Sequence, residues 1–414
     1  MTENKIQTIK SAPPPDDLPI LGKADPAEIS FIGRTNYVAA LEEKRYIFGI
    51  KRADRRRHLY IIGKSGTGKS KLLEILARQD IAYGYGLCFL DSDGDIVKSL
   101  LEFTPKRRLD DLVWIDPGDA AHPVAWNPLA DVPPEFRYQL AQGVVEIMEK
   151  YFTGHWTLRL DHVLRFALLA LLEYPAASMS GLIAILTDKA YRDLVVPHIK
   201  NDIIKRFFSL EFDDWSEKFH SDTVAPLVNK LHQFLGDPIL GKIFSNSENK
   251  INLGDFIKNK KIILVNLAKG RIGEEAVGFF GSLFILKLKQ AGMAGSAGDH
   301  YIYMDDFPPL ATRTFEHLLA DSRKYGFALT ISHQYMSQIS PAIRANIFGN
   351  VSSLIIFRVG GADAEILEPE LSPVFKAKDM INLGRQEFYI KMIIDGQSYD
   401  PFSAETLKLL PTPK

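Results

Sequence analysis

The hydrophobic positions of the chain follow two patterns, short continuous apolar runs and longer stretches with helical spacing. The continuous runs lie at residues 59–62, 87–91, 112–115, 261–267, 301–306, 327–332 and 353–359. Such runs are typical of parallel strands that are buried on both faces. Because amphipathic stretches follow most of them, the pattern predicts an α/β protein with a mostly parallel, doubly wound sheet and right-handed crossovers.

The middle of the chain has a different character. Between residues 133 and 256 the strand-like runs disappear, and apolar residues recur at helical spacing. The helical stretches cover residues 139–152, 162–174, 179–185, 191–204 and 223–235, and Pro175, Pro197 and Pro238 stand at plausible helix ends. The pattern predicts an all-α domain inserted into the α/β core.

These patterns divide the chain into five parts. Residues 1–28 are rich in proline and poor in hydrophobic residues, which predicts a disordered or loosely attached arm. The α/β core is expected in two pieces, 29–132 and 257–400, on either side of the all-α domain at 133–256. A hairpin is predicted over 387–394 and the turn Asp395-Gly396, and residues 401–414 are expected to form a C-terminal tail.

Composition narrows the function classes only slightly. The chain has 414 residues, 46% hydrophobic and 24% charged, and a net charge of −1, so any surface for DNA must be local. Its single cysteine, Cys88, permits no internal disulfide, which fits a reducing cytoplasm. The sequence shows no signal peptide and no apolar run long enough for a membrane span, so work at a membrane would require recruitment.

One local concentration of charge stands out. The basic run KRADRRR at residues 51–57 comes just before the strand at 59–62. It is either a solvated loop or a contact to phosphates or DNA, and the sequence leaves both readings open.

The most specific motif is HLYIIGKSGTGKS at residues 58–70, which reads as a strand, a glycine-rich loop and the start of a helix. It matches G-x-x-x-x-G-K-[ST], in which glycines let backbone N–H groups converge on a triphosphate and the helix N-terminus adds positive potential. Lys69 would reach the β- and γ-phosphates, and the Ser70 hydroxyl would bind Mg²⁺. The nucleotide-binding residues are predicted to be Gly63, Lys64, Ser65, Gly66, Thr67, Gly68, Lys69, Ser70 and Lys71.

Hydrolysis needs further groups, and the second half of the chain offers candidates. Asp305 ends an apolar strand as a Walker B metal residue should, and Asp306 next to it could polarise the attacking water. Gln334 follows the next strand and could sense the γ-phosphate, while Arg323 and Arg344 could supply positive charge. The glycine-rich loop that begins at Gly63 is called the P-loop. We expect the strands before Asp306 and Gln334 to be neighbours, with the strand before the P-loop alongside them.

In order along the chain, these segments resemble a known family. The resemblance lies in the segments FGIKRADRRRHLYIIGKSGTGKS, LCFLDSDGD, IILVNLAKGRIGEE, YIYMDDF, LLADSRKYGFALTISHQYMSQI and NVSSLIIFRVGGADA. The family is that of the type IV secretion coupling-protein ATPases (VirD4/TraG/TraD-like), which belong to the HerA/FtsK superfamily of DNA-pumping motors. The resemblance covers residues 45–405. It implies a RecA-like P-loop core with an all-α domain, assembled as a ring, expected to be a homo-hexamer, that hydrolyses ATP with Mg²⁺ between subunits and moves DNA.

The resemblance also assigns roles to single residues. Lys69 and Ser70 would bind phosphate and Mg²⁺, Asp305 would support the metal, and Gln334 would be the sensor. Arg323, in the R-K-x-G stretch, matches a position suited to an arginine finger that reaches a neighbouring subunit. Asp306 stands where the family usually has Glu, which places its carboxylate about 1.5 Å further from the water, a displacement that can cost about a hundredfold in rate.

A second departure concerns the membrane, because the membrane-spanning N-terminal segment of the family is missing from this sequence. The implied protein is a cytoplasmic relative, either recruited to conjugation or secretion machinery at the inner face of the membrane or not linked to a membrane. As a motor it would offer Lys269 and Arg271, in a loop flanked by Gly270 and Gly273, as candidate DNA contacts. The main alternative is an ATP-gated adaptor with weak or no hydrolysis, and a P-loop kinase is a weaker one.

Overall fold

The computed structural model describes residues 10–37, 45–119, 121–122, 124–152, 156–215, 220–244, 249–295 and 299–409. The strands are β1 (Ile29–Thr35), β2 (Ile47–Lys51), β3 (Leu59–Ile62), β4 (Gly86–Asp91), β5 (Leu112–Ile115), β6 (Ile262–Asn266), β7 (His300–Asp305), β8 (Phe327–His333), β9 (Ser353–Ile356), β10 (Glu387–Lys391), β11 (Ile393–Ile394), β12 (Gln397–Ser398) and β13 (Phe402–Thr406).

The α-helices alternate with the strands and also fill the long segment between β5 and β6. None of the helices in the ranges given above is long and apolar enough to cross a membrane. The α-helices are Arg52–Arg55, Lys69–Ala82, Asp95–Phe103, Pro134–Lys150, Leu158–Leu171, Gly181–Thr187, Lys189–Val195, Asp202–Arg206, Ala225–Leu235, Leu240–Phe244, Leu253–Lys258, Lys269–Ile272, Glu274–Met293, Arg313–Asp321, Pro341–Asn350, Gly361–Leu371 and Ala377–Ile381.

One eleven-stranded sheet organises the molecule, in the order β2-β1-β13-β10-β9-β3-β8-β7-β4-β6-β5. The strands from β9 to β5 run parallel to one another, and β10, β13, β1 and β2 continue the sheet in antiparallel pairing. Every residue of β3, β4, β6, β7, β8 and β9 is buried, as expected for parallel strands covered on both faces. The predicted mostly parallel α/β sheet is confirmed.

The sheet separates two hydrophobic cores, because alternate side chains of a strand point to opposite faces. In β3, Leu59 and Ile61 join the core that contains the helices Lys69–Ala82 and Asp95–Phe103. Tyr60 and Ile62 join the larger core on the other face, which contains the helices between β5 and β6 and the helix Glu274–Met293. Both faces of the central strands are therefore held by packed side chains.

The segment between β5 and β6 forms only helices and turns in the residues that the structure describes there. It does not stand apart from the sheet. Trp126 is completely buried, and its ring centroid lies 4.9 Å from that of Phe280 and 5.9 Å from that of Phe284, both on the helix Glu274–Met293. The helical insertion thus shares one hydrophobic core with the parallel sheet.

The structure corrects the expectations for the two ends of the chain. Residues 10–28 are not a loose arm: Leu18 and Ile20 are buried in the core of the sheet, and Ala12 N donates to Ser403 Oγ at 3.1 Å. Residues 401–409 are not a simple tail, because they include β13, which pairs with β1 and β10 inside the sheet. Residues 1–9 and 410–414 lie outside the described residues.

The structure also corrects the expectation for the basic run at 51–57. Its two buried arginines are neither solvated nor placed to contact phosphates or DNA. Arg52 and Arg55 both pair with Asp80, which is completely buried on the helix Lys69–Ala82. Arg55 also donates to Ser30 Oγ at 2.8 Å and to Tyr303 Oη at 2.6 Å, and the Tyr303 hydroxyl donates to Asp80. Through one carboxylate the cluster joins the helix Arg52–Arg55, the helix Lys69–Ala82 and β7.

We predict that Asp80→Ala lowers the free energy of unfolding by about 3–5 kcal/mol, since it leaves two buried guanidinium groups without a carboxylate. A urea titration followed by circular dichroism measures this. The matched control is Asp161→Ala, which removes a partly exposed pair with Arg165 on one helix and should cost about 0.3–0.5 kcal/mol. Equal costs for the two variants would show that the buried cluster does not hold the fold together.

Candidate nucleotide-binding site

The loop after β3 is built to receive an anion. The helix begins at Lys69 as predicted, and its N-cap residue Gly68 has φ 127°, a conformation that only glycine adopts without strain. A Cβ at Gly63 would lie 2.5 Å from the Phe357 Cβ, so only glycine lets the loop pass this close to the residue after β9. No side chain caps the helix, which leaves its first N–H groups available to a phosphate.

Lys69 extends back across this loop. Its ammonium donates to the Lys64 carbonyl at 3.1 Å, and the side chain is mostly buried. Burial lowers the pKa of Lys69, while the charges of Asp305 and Asp306 act in the opposite direction. A cation held in this way over the loop is suited to the β- and γ-phosphates of a nucleotide.

Asp305 ends β7 and faces the P-loop helix. Its Oδ2 accepts a hydrogen bond from Ser70 Oγ at 2.8 Å, and its Oδ1 accepts one from the Ser332 hydroxyl. Burial raises the pKa of Asp305, and the two hydroxyl donors and Lys69 favour the charged form. A hydroxyl and a carboxylate oxygen side by side form a donor set that suits Mg²⁺, which takes few protein ligands and completes its shell with phosphate and water.

The order of the strands explains why these residues meet. β8 lies between β3 and β7, so the loop after β3, Asp305 after β7 and Gln334 after β8 all reach the same edge of the sheet. They surround a cavity of about 260 Å³. Its lining consists of Ser65, Gly66, Gly68, Lys69, Ser70, Lys71, Asp93, Asp305, Asp306, His333, Gln334, Arg385 and Gln386.

Asp306 lies at the wall of this cavity in an unusual backbone conformation, with φ 53°. The Ser92 hydroxyl donates to the carbonyl oxygens of Asp305 and Asp306, at 3.1 and 3.3 Å, which fixes the chain at this point. The Asp306 Oδ2 accepts from Lys269 Nζ at 2.7 Å. Its carboxylate is therefore ion-paired in the structure.

The sequence did not single out Ser332, which donates to Asp305, or the cavity residues His333, Arg385 and Gln386. Ser332 and His333 directly precede Gln334 in the segment SHQ, so their position at the strand end was a usable signal. Burial lowers the pKa of His333 to about 4, which keeps the ring neutral between Tyr60 and Gln338. Arg385 and Gln386 come from the loop before β10, where Gln386 N donates to the Thr67 carbonyl at 3.0 Å; no motif marks that loop.

Arg323 is not brought to this cavity. It lies in the turn Ser322–Tyr325 before β8, at the amino ends of the strands. Because β8 spans seven residues, Arg323 is about 20 Å from the edge of the sheet at which the glycine-rich loop of the same chain lies. It lines a second cavity with Arg56 and Arg57, and the neighbouring Ser322 hydroxyl is 3.1 Å from His58 Nε2.

Lys269 and Arg271 are placed differently from the open loop that was expected. They lie on the one-turn helix Lys269–Ile272 after β6. Lys269 pairs with Asp306 and also with Asp93 Oδ1 at 3.2 Å, and Arg271 pairs with Asp116 at 2.6 Å. Lys269 and Arg271, the two candidate DNA contacts, therefore form ion pairs within the chain. These pairs lie at the same edge of the sheet as the P-loop.

No protein-family model matches the chain, and no curated protein matches it. Solved structures do match. The plasmid coupling protein TrwB in complex with the non-hydrolysable GTP analogue GDPNP is 15% identical, with 88% of this chain and 89% of that chain covered and a TM-score of 0.66.

Two further structures agree with this match. TrwB in complex with ADP and Mg²⁺ is 16% identical over the same shares of both chains, with a TM-score of 0.65. VirB4 of Thermoanaerobacter pseudethanolicus is 14% identical, with 85% of this chain and 89% of that chain covered and a TM-score of 0.58. The resemblance in fold is confirmed: the chain has the RecA-like P-loop fold with a helical insertion that the coupling protein TrwB and VirB4 share.

Proposed function

We propose that this protein is an ATP-driven motor that moves DNA, or a DNA–protein complex, and that it hydrolyses ATP between the subunits of a homo-hexameric ring. One observation carries the proposal above all others. Asp305 is held between the hydroxyls of Ser70 and Ser332, opposite Lys69, at the mouth of a glycine-rich loop. This arrangement supplies the cation, the metal ligands and the helix N-terminus that phosphoryl transfer requires.

The nucleotide and metal fit the residues that are present. TrwB, which has the same fold, has been crystallised with ADP and Mg²⁺ and with analogues of ATP and GTP. In the proposal, residues 63–71 hold the phosphates of ATP, and Ser70 and Asp305 hold Mg²⁺. A bound Mg²⁺ would neutralise part of the phosphate charge in the transition state.

Two side chains are proposed to act on the attacking water and the γ-phosphate. Asp306 is adjacent to the metal ligand and would accept a proton from the water, and Gln334 would orient that water or sense the phosphate. In the proposal the carboxylate leaves Lys269 before it acts on the water, because the ion pair occupies Oδ2 and Oδ1 is buried. The same ion pair is the observation that favours the alternative function, an ATP-gated adaptor with little turnover.

The position of Arg323 supports the proposed ring. An arginine finger contributes positive charge to the transferred phosphate, yet Arg323 lies at the far end of the sheet from its own cavity. A neighbouring subunit placed head to tail in a ring could present that arginine to the cavity. We propose that the ring works in the cytoplasm, recruited to conjugation or secretion machinery at the inner face of the membrane.

The function is tested by steady-state ATP hydrolysis with and without single- and double-stranded DNA. We expect turnover that DNA raises severalfold, and a loss of at least about a hundredfold in Lys69→Ala, since that cation stabilises the transferred phosphate. Tight ATP binding with negligible turnover that DNA leaves unchanged would instead support the adaptor.

The shared site is tested by mixing two inactive variants. Arg323→Ala alone should lose about a thousandfold in turnover and still bind ATP. In an equal mixture with Lys69→Ala, about one interface in four joins an intact P-loop to an intact Arg323, so turnover should reappear.

The matched control for this experiment is Lys324→Ala. Lys324 is the next residue in the same turn, and its exposed side chain pairs only with Asp321 among the residues described, so turnover should stay at the level of the unmodified protein. A mixture that never exceeds the summed rates of its two components would contradict hydrolysis between subunits.

A further inference from the structure

Lys269 lies between two carboxylates at the edge of the candidate nucleotide site. Its Nζ is 2.7 Å from Asp306 Oδ2 and 3.2 Å from Asp93 Oδ1. A third of the side chain is exposed to solvent, so the ammonium can be reached from outside. Lys269 thus contacts the proposed catalytic carboxylate and is also partly exposed at the surface.

The Asp306 carboxylate depends on this lysine for its orientation. Its other oxygen, Oδ1, is buried and has no hydrogen-bond partner among the residues that the structure describes. The backbone is fixed by Ser92, so the side chain has few ways to turn unless the ion pair opens. While the pair is closed, Lys269 occupies Asp306 Oδ2, so this oxygen is not free to contact a water at the γ-phosphate.

The one-turn helix that carries Lys269 is held in place by contacts at its start and by its charged side chains. Lys269 N donates to the Ser92 carbonyl at 2.7 Å, and Arg271 pairs with Asp116 while passing so close to Gly118 that a Cβ there would lie 2.7 Å from Arg271 Nε. The outer surface of the helix, including Gly270 and Arg271, is exposed.

A DNA backbone that approaches this helix meets Lys269 and Arg271. The positive charges of these side chains are already paired with the carboxylates of Asp93, Asp306 and Asp116. Phosphodiester groups attract lysine and arginine strongly, but they repel the carboxylates to which these side chains are bound. Contact with the phosphates and the ion pair with Asp306 therefore compete for the same ammonium group.

We propose that Lys269 is a positioning residue that couples DNA binding to ATP hydrolysis, with the DNA backbone taking Lys269 away from Asp306. The released carboxylate accepts a proton from water, the water oxygen attacks the γ-phosphorus, and the bond to the β–γ bridging oxygen breaks, giving ADP and phosphate. The inference rests on the proposed function. It goes beyond that function because it names the contact through which DNA raises the rate.

The test compares the DNA-free and DNA-stimulated kcat of the unmodified 414-residue chain and three variants, with oligothymidylate and a duplex as the DNA. In Lys269→Ala the carboxylate is released permanently, so the DNA-free kcat should rise about three- to fivefold, as expected for the loss of one partly exposed ion pair, and DNA should add little more. Lys269→Arg keeps the ion pair and should keep the dependence on DNA.

Lys261→Ala is the matched control, because it removes a lysine–aspartate pair with Asp111 at the opposite end of β6. It should show the DNA-free rate and the DNA stimulation of the unmodified protein. The KM for ATP should be the same in all variants, since Lys269 is proposed to act on Asp306 and not on the nucleotide.

Two results would overturn the inference alone. A DNA-free kcat that falls in Lys269→Ala would make the lysine part of the catalytic site, and an unchanged DNA stimulation would separate it from the response to DNA. Both leave the proposed function standing, provided that the unmodified protein hydrolyses ATP and Lys69→Ala does not. Absence of turnover in every protein, including the Lys269 variants, would overturn the function and the inference together.

Discussion

The parallel direction of the seven strands from β9 to β5 is the constraint on which the rest of the molecule depends. Because these strands point the same way, the residues that follow them gather at one edge of the sheet. The P-loop, Asp305 and Gln334 are far apart in the sequence and meet only for this reason. The same constraint places Arg323, which precedes a strand, at the opposite edge, so a site that uses it needs a second subunit.

The two edges are mechanically connected through the interior. Asp80 on the P-loop helix holds Arg55, which follows β2, and Tyr303, which lies in β7 two residues before Asp305. Packed side chains cover both faces of the central strands, so a shift of the P-loop helix is opposed by contacts on several strands at once. Such a framework suits the site that we propose, in which the groups around the phosphates keep fixed distances while the Lys269–Asp306 ion pair opens and closes.

Sequence patterns were informative where the physics is local. The strand that ends at Asp305 and the helix that begins at Lys69 follow from continuous apolar runs and a glycine loop, and both were predicted. The antiparallel part of the sheet was mostly missed, because polar residues such as the paired Arg34 and Glu405 interrupt the apolar pattern of β1 and β13.

The burial of Arg52 and Arg55 had no local signal at all. Their partner Asp80 lies on another element, and a basic run looks the same whether it is solvated or buried. The pairing of Lys269 with Asp306 was hidden for the same reason: the sequence marked each residue as a candidate, but only the sheet order shows that they touch.

In the proposed function the protein moves along DNA with energy from ATP. The most direct measurement is the displacement of a triplex-forming oligonucleotide from duplex DNA, because only a protein that travels along the duplex strips it off. We expect displacement that requires ATP and Mg²⁺ and that disappears in Lys69→Ala. Hydrolysis of ATP on the same duplex without any displacement would contradict it.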